Sequence, residues 1–422
     1  MKRRDFLKAA SATFVAPYVI PSSAFGANER IAVGCIGVRN QGKGNLQRFQ
    51  NAGCDVVAVC DVDANVRTAA AAVVDKAGGS CELYEDYRRL LDRSDVDAVV
   101  VTTPDHWHAL PTIHACQAGK DVYCEKPLSL TIAEGRRMVQ AARDNDRIVQ
   151  TGSQQRSSTE FWKACTLVRN GAIGEIKEVL VGIPGCNHPG KLGANTEPPS
   201  ELNYDLWLGP APEKPYNEKR VHYNFRFWWD YSGGQMTNFG AHHLDIAQWG
   251  LGMDDSGPVQ VDGSATYHPE NFHEVTETCR LTYTYANGVQ VTVGQKQDDI
   301  PQGATFVGTE GRIFVNRGKL SSDPKEVIEQ EVADLPTQLY RSKNHVGNFL
   351  DCVRSRELPI CDVEIGHRSA SVCHLGNIVA RLGRSIEWDP AQEQIVGDAE
   401  AHAMTDKEYR RPWRRDMEFV AS

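Results

Sequence analysis

From residue 31 onward the chain alternates short apolar runs with stretches of helical spacing. Ile31 to Ile36, Asp55 to Cys60, Ala98 to Val101, Val122 to Cys124 and Arg147 to Thr151 read as buried strands. Between them helical patterns run through Asn51, from near Ala64, to about Gly119 and over 131–145. The last opens with Thr131-Ile132-Ala133-Glu134, a capping-box pattern. Strands separated by helices in this way call for a parallel sheet with right-handed crossovers.

After Gly152 the texture changes. A helix is expected over Thr159 to Asn170 and a strand over Glu175 to Ile183. Residues 184–234 follow, rich in Pro, Gly, Asn and aromatics and poor in periodic runs. From residue 258 the period becomes two. Thr276 to Tyr285, Asn287-Gly288 and Val289 to Gln295 predict a hairpin with a type I′ turn, and Gly303 to Val307 and Arg312 to Asn316 add strands. Helices over 341–355 and 366–383 are expected to return to the first domain, and the tail Tyr409 to Trp413 to dock rather than hang free.

The two ends of the pattern carry different information. Arg3-Arg4-Asp5-Phe6-Leu7-Lys8 precedes an apolar stretch, Ala9 to Ile20, too short and too proline-broken to span a bilayer. It resembles a twin-arginine export signal occupying residues 1–27, which implies folding before transport and a periplasmic or otherwise exported protein. The net charge is −9, and cleavage of the basic leader would make it more negative. That balance gives no support for binding nucleic acid or a membrane surface. The 12 cysteines are scattered without zinc-type spacing, so no metal site is expected. Buried free thiols are the favoured reading, with one or two disulfides left open.

Candidate chemistry begins after the first strand, at Gly37-Val38-Arg39-Asn40-Gln41-Gly42. In G-x-G-x-x-G the first glycine permits the tight turn and the last permits close packing of helix on strand, while the middle one lets the backbone approach a pyrophosphate. Arg39 replaces the middle glycine, and a guanidinium there can meet phosphate directly. The second strand ends in Asp61, placed to accept from adenosine ribose hydroxyls and to repel a 2′-phosphate. This favours NAD over NADP, although Arg39 and Arg67 keep NADP open and Asp61 has a second reading as a helix cap. Thr103, Pro104 and His108 border the expected nicotinamide end, and His106 reads as a plain helix-start residue. Glu125-Lys126-Pro127 stands at the carboxyl end of a strand, where doubly wound sheets bind ligands.

In the irregular segment, His188 and the cluster Arg226-Phe227-Trp228-Trp229-Asp230-Tyr231 place aromatic faces beside polar groups. That combination suits a sugar, with its apolar C–H faces and many hydroxyls; the alternative is that the tryptophans are core or subunit-interface residues. Further on, Asn238, His242, Asp245 and Trp249 share one face at helical spacing.

The Gly37–Gly42 loop, Thr103 to His108 and Glu125-Lys126-Pro127 together resemble the glucose–fructose oxidoreductase / inositol dehydrogenase (Gfo/Idh/MocA) family. The resemblance implies an α/β protein: an N-terminal Rossmann doubly wound sheet over 28–152, and a C-terminal α+β domain over 153–422 with a large open, mainly antiparallel sheet. That sheet is the family's oligomerisation face, so a homo-oligomer is expected. The family pattern Asp-x-Gly-x-His-x-x-Asp matches at Gly240, His242 and Asp245, with Asn238 where inositol dehydrogenases typically have Asp. Gly37, Arg39, Asn40, Gly42, Asp61, Thr103, Pro104, His108, Glu125 and Lys126 are the expected cofactor residues, for NAD held tightly. His242 would act as general base and Lys126 would hydrogen-bond the reacting oxygen, with Glu125 positioning Lys126. His188, Arg226, Trp228, Tyr231, Asn238 and Asp245 would meet the substrate. The expected activity is an exported oxidoreductase moving a hydride between NAD(P) and a carbinol carbon of a sugar or glycoside. One alternative is a glycosidase working by transient C3 oxidation and elimination; another is a non-catalytic sugar-binding protein with a structural nucleotide.

Overall fold

The computed structural model describes residues 30–414, so the leader lies outside the described residues. Six strands, β1 (Ala32–Ile36), β2 (Asp55–Cys60), β3 (Glu82–Tyr84), β4 (Ala98–Val101), β5 (Asp121–Cys124) and β6 (Val149–Thr151), pair in parallel in the order β3-β2-β1-β4-β5-β6. Their crossovers carry α1 (Asn40–Asn51), α2 (Ala64–Lys76), α3 (Tyr87–Leu91), α4 (Ala109–Gln117) and α5 (Ile132–Asp144). Strand order reverses between β1 and β4, so the loops leaving those strands splay and open a crevice at the carboxyl edge of the sheet. Asp63, not Asp61, caps α2, accepting from the amides of Asn65 and Val66, and the Thr131–Glu134 capping box is formed in full.

The second half contributes α6 (Thr159–Arg169), α7 (Tyr204–Leu208), α8 (Gly234–Asn238) and α9 (Gly240–Leu251). It also contributes nine strands: β7 (Ile176–Ile183), β8 (Gln260–Tyr267), β9 (Thr276–Thr284), β10 (Gln290–Gln295), β11 (Gly303–Gly308), β12 (Arg312–Asn316), β13 (Lys319–Asp323), β14 (Ile386–Asp389) and β15 (Gln394–Val396). They form one sheet in the order β13-β12-β11-β7-β10-β9-β8-β14-β15, parallel at β7–β10 and antiparallel elsewhere. The β9–β10 turn is not type I′. Gly288 has φ +82°, Asn287 is not in the left-handed region, and the Tyr285 amide donates to Val289 O. That geometry is a three-residue loop with a bulge at glycine, which needs only one residue at positive φ. The edge strands β3, β13 and β15, and β14 beside the last, escape a reading by apolar runs because they are short and expose alternate residues.

Two C-terminal helices return to the nucleotide half, the first packing on it and the second lying between it and the large sheet. From α10 (His345–Ser355), Phe349 meets Phe49 and Tyr123 edge-on at 5.9 and 6.0 Å. On α11 (Val363–Leu382), Glu364 takes a bidentate pair from Arg136 of α5. After α12 (Ala399–Ala403) the tail docks as expected: Trp413 stands edge-on to Trp107 at 4.9 Å, and the Tyr409 hydroxyl donates to Glu134.

The irregular segment is a packed structure rather than a loop. Leu202 bridges Asp63, the Ala64 amide donates to Glu201 O and the Asn203 amide to Val62 O, each at 2.9 Å. The Trp107 indole donates to the carbonyls of Leu206 and Trp207. Beneath this strap, Leu202, Trp207, Leu208, Phe227, Trp228 and Tyr231 form a core of their own.

Candidate active-site cleft

A cleft of about 940 Å³ runs along the carboxyl edge of the parallel sheet and is closed on its far side by the irregular segment and α8–α9. Its nucleotide end starts where β1 stops. Gly37 has φ +77°, and a Cβ there would lie 2.7 Å from Thr102 O, so only glycine makes this turn. A Cβ on Gly42 would sit 2.0 Å from Gly37 O. α1 begins at Asn40 with no side chain capping its first amides and no acid in its first turn, leaving donors and a positive helix end facing the cleft. Thr103 Oγ1 is buried in the wall without a partner. Uncapped helix amides, a glycine-tight turn and an orphaned hydroxyl are what a dinucleotide phosphate and its adjoining groups satisfy, so the residues present fit that cofactor.

Gly37, Arg39, Asn40, Asp61, Thr103, Pro104, His108, Glu125 and Lys126 all line the cleft, whereas Gly42 lies beneath it as packing. Asp61 accepts from the amides of Val38 and Asp63, and burial raises its carboxyl above the usual range against those two bonds. Arg39 leans outward toward His222 Nδ1 at 3.3 Å and Asp63 at 3.5 Å.

His108 lines the cleft with both of its ring nitrogens engaged by backbone. Its Nδ1 lies 2.7 Å from Pro127 O and its Nε2 2.9 Å from Thr103 O. Two carbonyl partners demand two N–H donors, which makes it an imidazolium. Burial opposes that charge, but Cys124, Asp105 and the Pro127 carbonyl outweigh it and push the group up to about 10. With both nitrogens taken, His108 clamps the two loops together. His106 is structural, as read: its Nε2 meets Trp207 O at 3.0 Å.

Glu125 differs from its expected role. One carboxylate oxygen collects the side-chain amides of Gln41, Asn45 and Gln154, at 3.1, 2.9 and 3.1 Å, and the other accepts only the backbone amide of Lys126. The Lys126 ammonium is held instead by Asn238, donating to Oδ1 at 2.9 Å and to the carbonyl at 3.2 Å. Glu125 therefore orders carboxamides beside the cofactor end and contributes to Lys126 through its charge. Burial lowers the Lys126 pKa, with Glu125 and Asp105 opposing. A primary ammonium has three donors, and two are in use.

His242, on the first turn of α9, faces the same cleft, and its Nδ1 is buried without a partner. Burial holds it well below the usual histidine range, helped by the positive charges of Lys126 and Arg317. It is therefore neutral at neutral pH, with a lone pair to offer.

Of the expected substrate residues, Arg226 and Asn238 line the cleft; His188, Trp228, Tyr231 and Asp245 do not. Tyr231 is fully buried with its ring against His106 and Trp207, and the Trp228 indole donates to Lys219 O. His188 packs on Phe227 and Trp228 behind the wall. Asp245 is fully buried and grips Arg156, itself 1% exposed, with Ser369 donating to the same carboxylate. These four lie in the packing that supports the wall. Residues without a sequence signal also enter the site: Gln154, Gln155, Phe239 and Arg317, the last from the β12–β13 turn with its Nε donating to Gln155 Oε1. Gln41 and Asn45 were legible as one face of α1 by their i, i+4 spacing. Among the described residues neither Arg226 nor Arg317 is ion-paired; Arg226 stacks on Tyr223 at 3.9 Å, and its Nε is buried without a partner. Glu160 lines the same end and accepts from the Gly318 amide.

Comparison with known proteins agrees with this geometry. Inositol 2-dehydrogenase of Salmonella typhimurium is 34% identical over 148 residues, covering 34% of this chain and 43% of that protein. A glycosyl hydrolase family 109 protein of Shewanella pealeana is 30% identical over 157 residues, covering 35% and 34%. The chain thus spans less than half the length of these relatives. The WlbA dehydrogenase of Bordetella pertussis, solved with NADH and UDP-GlcNAcA, superposes with a TM-score of 0.62 over 85% of this chain and 99% of that one; at 20% identity the likeness is one of fold. Residues 31–153 match the oxidoreductase-family NAD-binding Rossmann fold and residues 186–415 the same family's C-terminal alpha/beta domain. With both of its domain models matched in order, the chain belongs to the Gfo/Idh/MocA oxidoreductase family and carries that family's NAD-binding Rossmann domain.

Proposed function

We propose that the protein oxidises a carbinol carbon of a sugar or glycoside, with His242 and Lys126 handling the proton and the developing charge. The observation that carries this reading is their position: Lys126 with its Asn238 anchor, and His242 with its neutral imidazole, face one cleft whose other end is the dinucleotide fingerprint. When bound, the nicotinamide supplies the acceptor for the hydride leaving the carbinol carbon. The hydroxyl proton passes to His242 as the carbonyl forms. Lys126 donates its remaining N–H to the same oxygen, and the burial that lowers its pKa makes it a stronger donor toward developing negative charge. Arg226 and Arg317 give this end of the cleft a positive character, which favours sugars that also carry an acidic group.

The test is to mix purified protein with NAD and a panel of sugars, sugar acids and glycosides and follow NADH absorbance. Reduction of the nucleotide by at least one of them is expected. No reduction, with binding intact, would leave the non-catalytic reading standing. The likeness to a glycosyl hydrolase family 109 protein keeps a second outcome in view. Release of aglycone without net NADH would mean that oxidation is transient and that the product is a hydrolysed glycoside. We also propose export by the twin-arginine route, from Arg3-Arg4 and the apolar stretch behind them. Arg3→Lys with Arg4→Lys should hold folded protein in the cytoplasm, as fractionation would show.

A further inference from the structure

Outside the cleft, three side chains from two distant parts of the chain converge behind its substrate end. Cys186 follows β7, and His273 and Glu277 flank the entry to β9. The Cys186 sulfur, an imidazole nitrogen of His273 and a carboxylate oxygen of Glu277 all lie within 4.8 Å of one another. The His273 side chain is 0% exposed, with Nε2 2.7 Å from Glu277 Oε1. Its Nδ1 is buried with no hydrogen-bond partner. The rings of His188 and His268 lie 4.9 and 5.7 Å from that of His273. None of these residues lines the cleft, and the proposed reaction uses none of them.

A buried imidazole nitrogen left without a partner destabilises the fold. A cation shared with the neighbouring thiol and carboxylate offsets that cost by drawing on lone pairs already gathered at one point. The donor set selects the kind of ion. One sulfur, one nitrogen and one oxygen suit a borderline-soft ion of the zinc class, whereas magnesium and calcium require mostly oxygen ligands. Zinc ligands at about 2.0–2.3 Å in a tetrahedron stand roughly 3.3–3.8 Å apart. The three groups, none more than 4.8 Å from another, reach those positions by small side-chain rotations, the His273–Glu277 pair opening from 2.7 Å. We propose that Cys186, His273 and Glu277 bind one divalent zinc-class ion, with a fourth position left for water. Asn187, next to Cys186, donates to the Tyr223 hydroxyl at 3.2 Å, and Tyr223 carries Arg226 on the cleft wall. The ion ties the start of the irregular segment to the sheet and steadies that arginine.

The test uses untagged full-length protein, stripped with a chelator and titrated with Zn2+ and with Co2+. About one equivalent of zinc should bind, and cobalt should give a thiolate-to-metal absorption band. Cys186→Ser should abolish the band and weaken zinc binding at least about tenfold. Glu277→Gln keeps a hydrogen-bonding partner for His273 and so tests the site in a chain with less risk of misfolding; it too should bind at least about tenfold more weakly. Less than half an equivalent bound at saturating zinc, or equal affinity in wild type and Glu277→Gln, would overturn the proposal.

Discussion

The two walls of the cleft are built by opposite means. On the nucleotide side, the lining residues sit in loops immediately after β1, β2, β4 and β5, and much of the recognition is offered by backbone. On the other side, Arg226, Asn238, His242 and Arg317 arrive from four separate elements and act mainly through their side chains. Sheet topology alone fixes the first wall. The second is held by long-range packing, and part of the aromatic cluster at 226–231 serves as that packing: Trp228 and Tyr231 are 4% and 0% exposed. Abundant aromatics in a functional segment therefore need not touch a ligand.

The comparison is tested most severely by the groups that meet across the cleft. His242→Ala should lower turnover by about 10²–10⁴-fold with sugar binding largely kept, and Lys126→Ala should lower both. Steady-state rates together with equilibrium binding separate the two. Near-normal turnover in His242→Ala would move the base elsewhere and undo the assignment of the second wall.

Next come substitutions that distinguish support from contact. Trp228→Ala should cost about 3–5 kcal/mol of stability, read by denaturant titration, with sugar affinity altered only as the wall loosens. Arg226→Ala should leave stability nearly unchanged and raise KM for an acidic sugar roughly 10–100-fold, the loss of a charged hydrogen bond worth about 1.5–3 kcal/mol, with neutral sugars little affected. A smaller effect is expected on the first wall, where backbone carries much of the recognition. Asp61→Asn should weaken NAD binding by about 1–3 kcal/mol and relax discrimination against NADP, measured by calorimetric titration of both.

Acid tests a different contact, the seam between the halves. His106 Nε2 faces Trp207 O, His345 Nε2 faces Thr151 O and His374 Nε2 faces Ser129 O. Burial holds these histidines down to about 4, 4 and 3. The unfolded chain regains values near about 6.5, so below that pH it binds more protons than the native state. The contribution of these three is therefore full above about pH 6.5 and falls as pH drops toward about 4. A Tm flat across that window would show that the seam does not depend on neutral histidines.

How much of this was legible in the sequence follows the same division. Strands β1, β2, β4 and β5 and the loops after them were readable because a buried parallel strand is a continuous apolar run that ends at the ligand. The strands β3 and β13 to β15 were not, since short strands at or next to an exposed edge carry no such run. Asn238 and His242 were found through the family motif, and Asp245, in that motif, proved to be a buried partner of Arg156. Arg317 had no sequence signal at all: nothing in a strand-turn-strand at 312–323 says that its arginine reaches Gln155 across the fold. The Cys186, His273 and Glu277 group escaped for a related reason, because spacing among cysteines cannot reveal a site with only one.

The strap over residues 201–207 has a kinetic consequence. Leu202, Leu206 and Trp207 line the cleft, while the same stretch is pinned to the nucleotide half by the Val62–Ala64 backbone and the Trp107 indole. Any molecule leaving past it must wait for those bonds to open together, so its escape rate is governed by a local unfolding event as well as by its own contacts. Two residues that touch no reacting atom, Leu202 and Trp107, would then control how many turnovers one nucleotide serves before it exchanges with the surroundings.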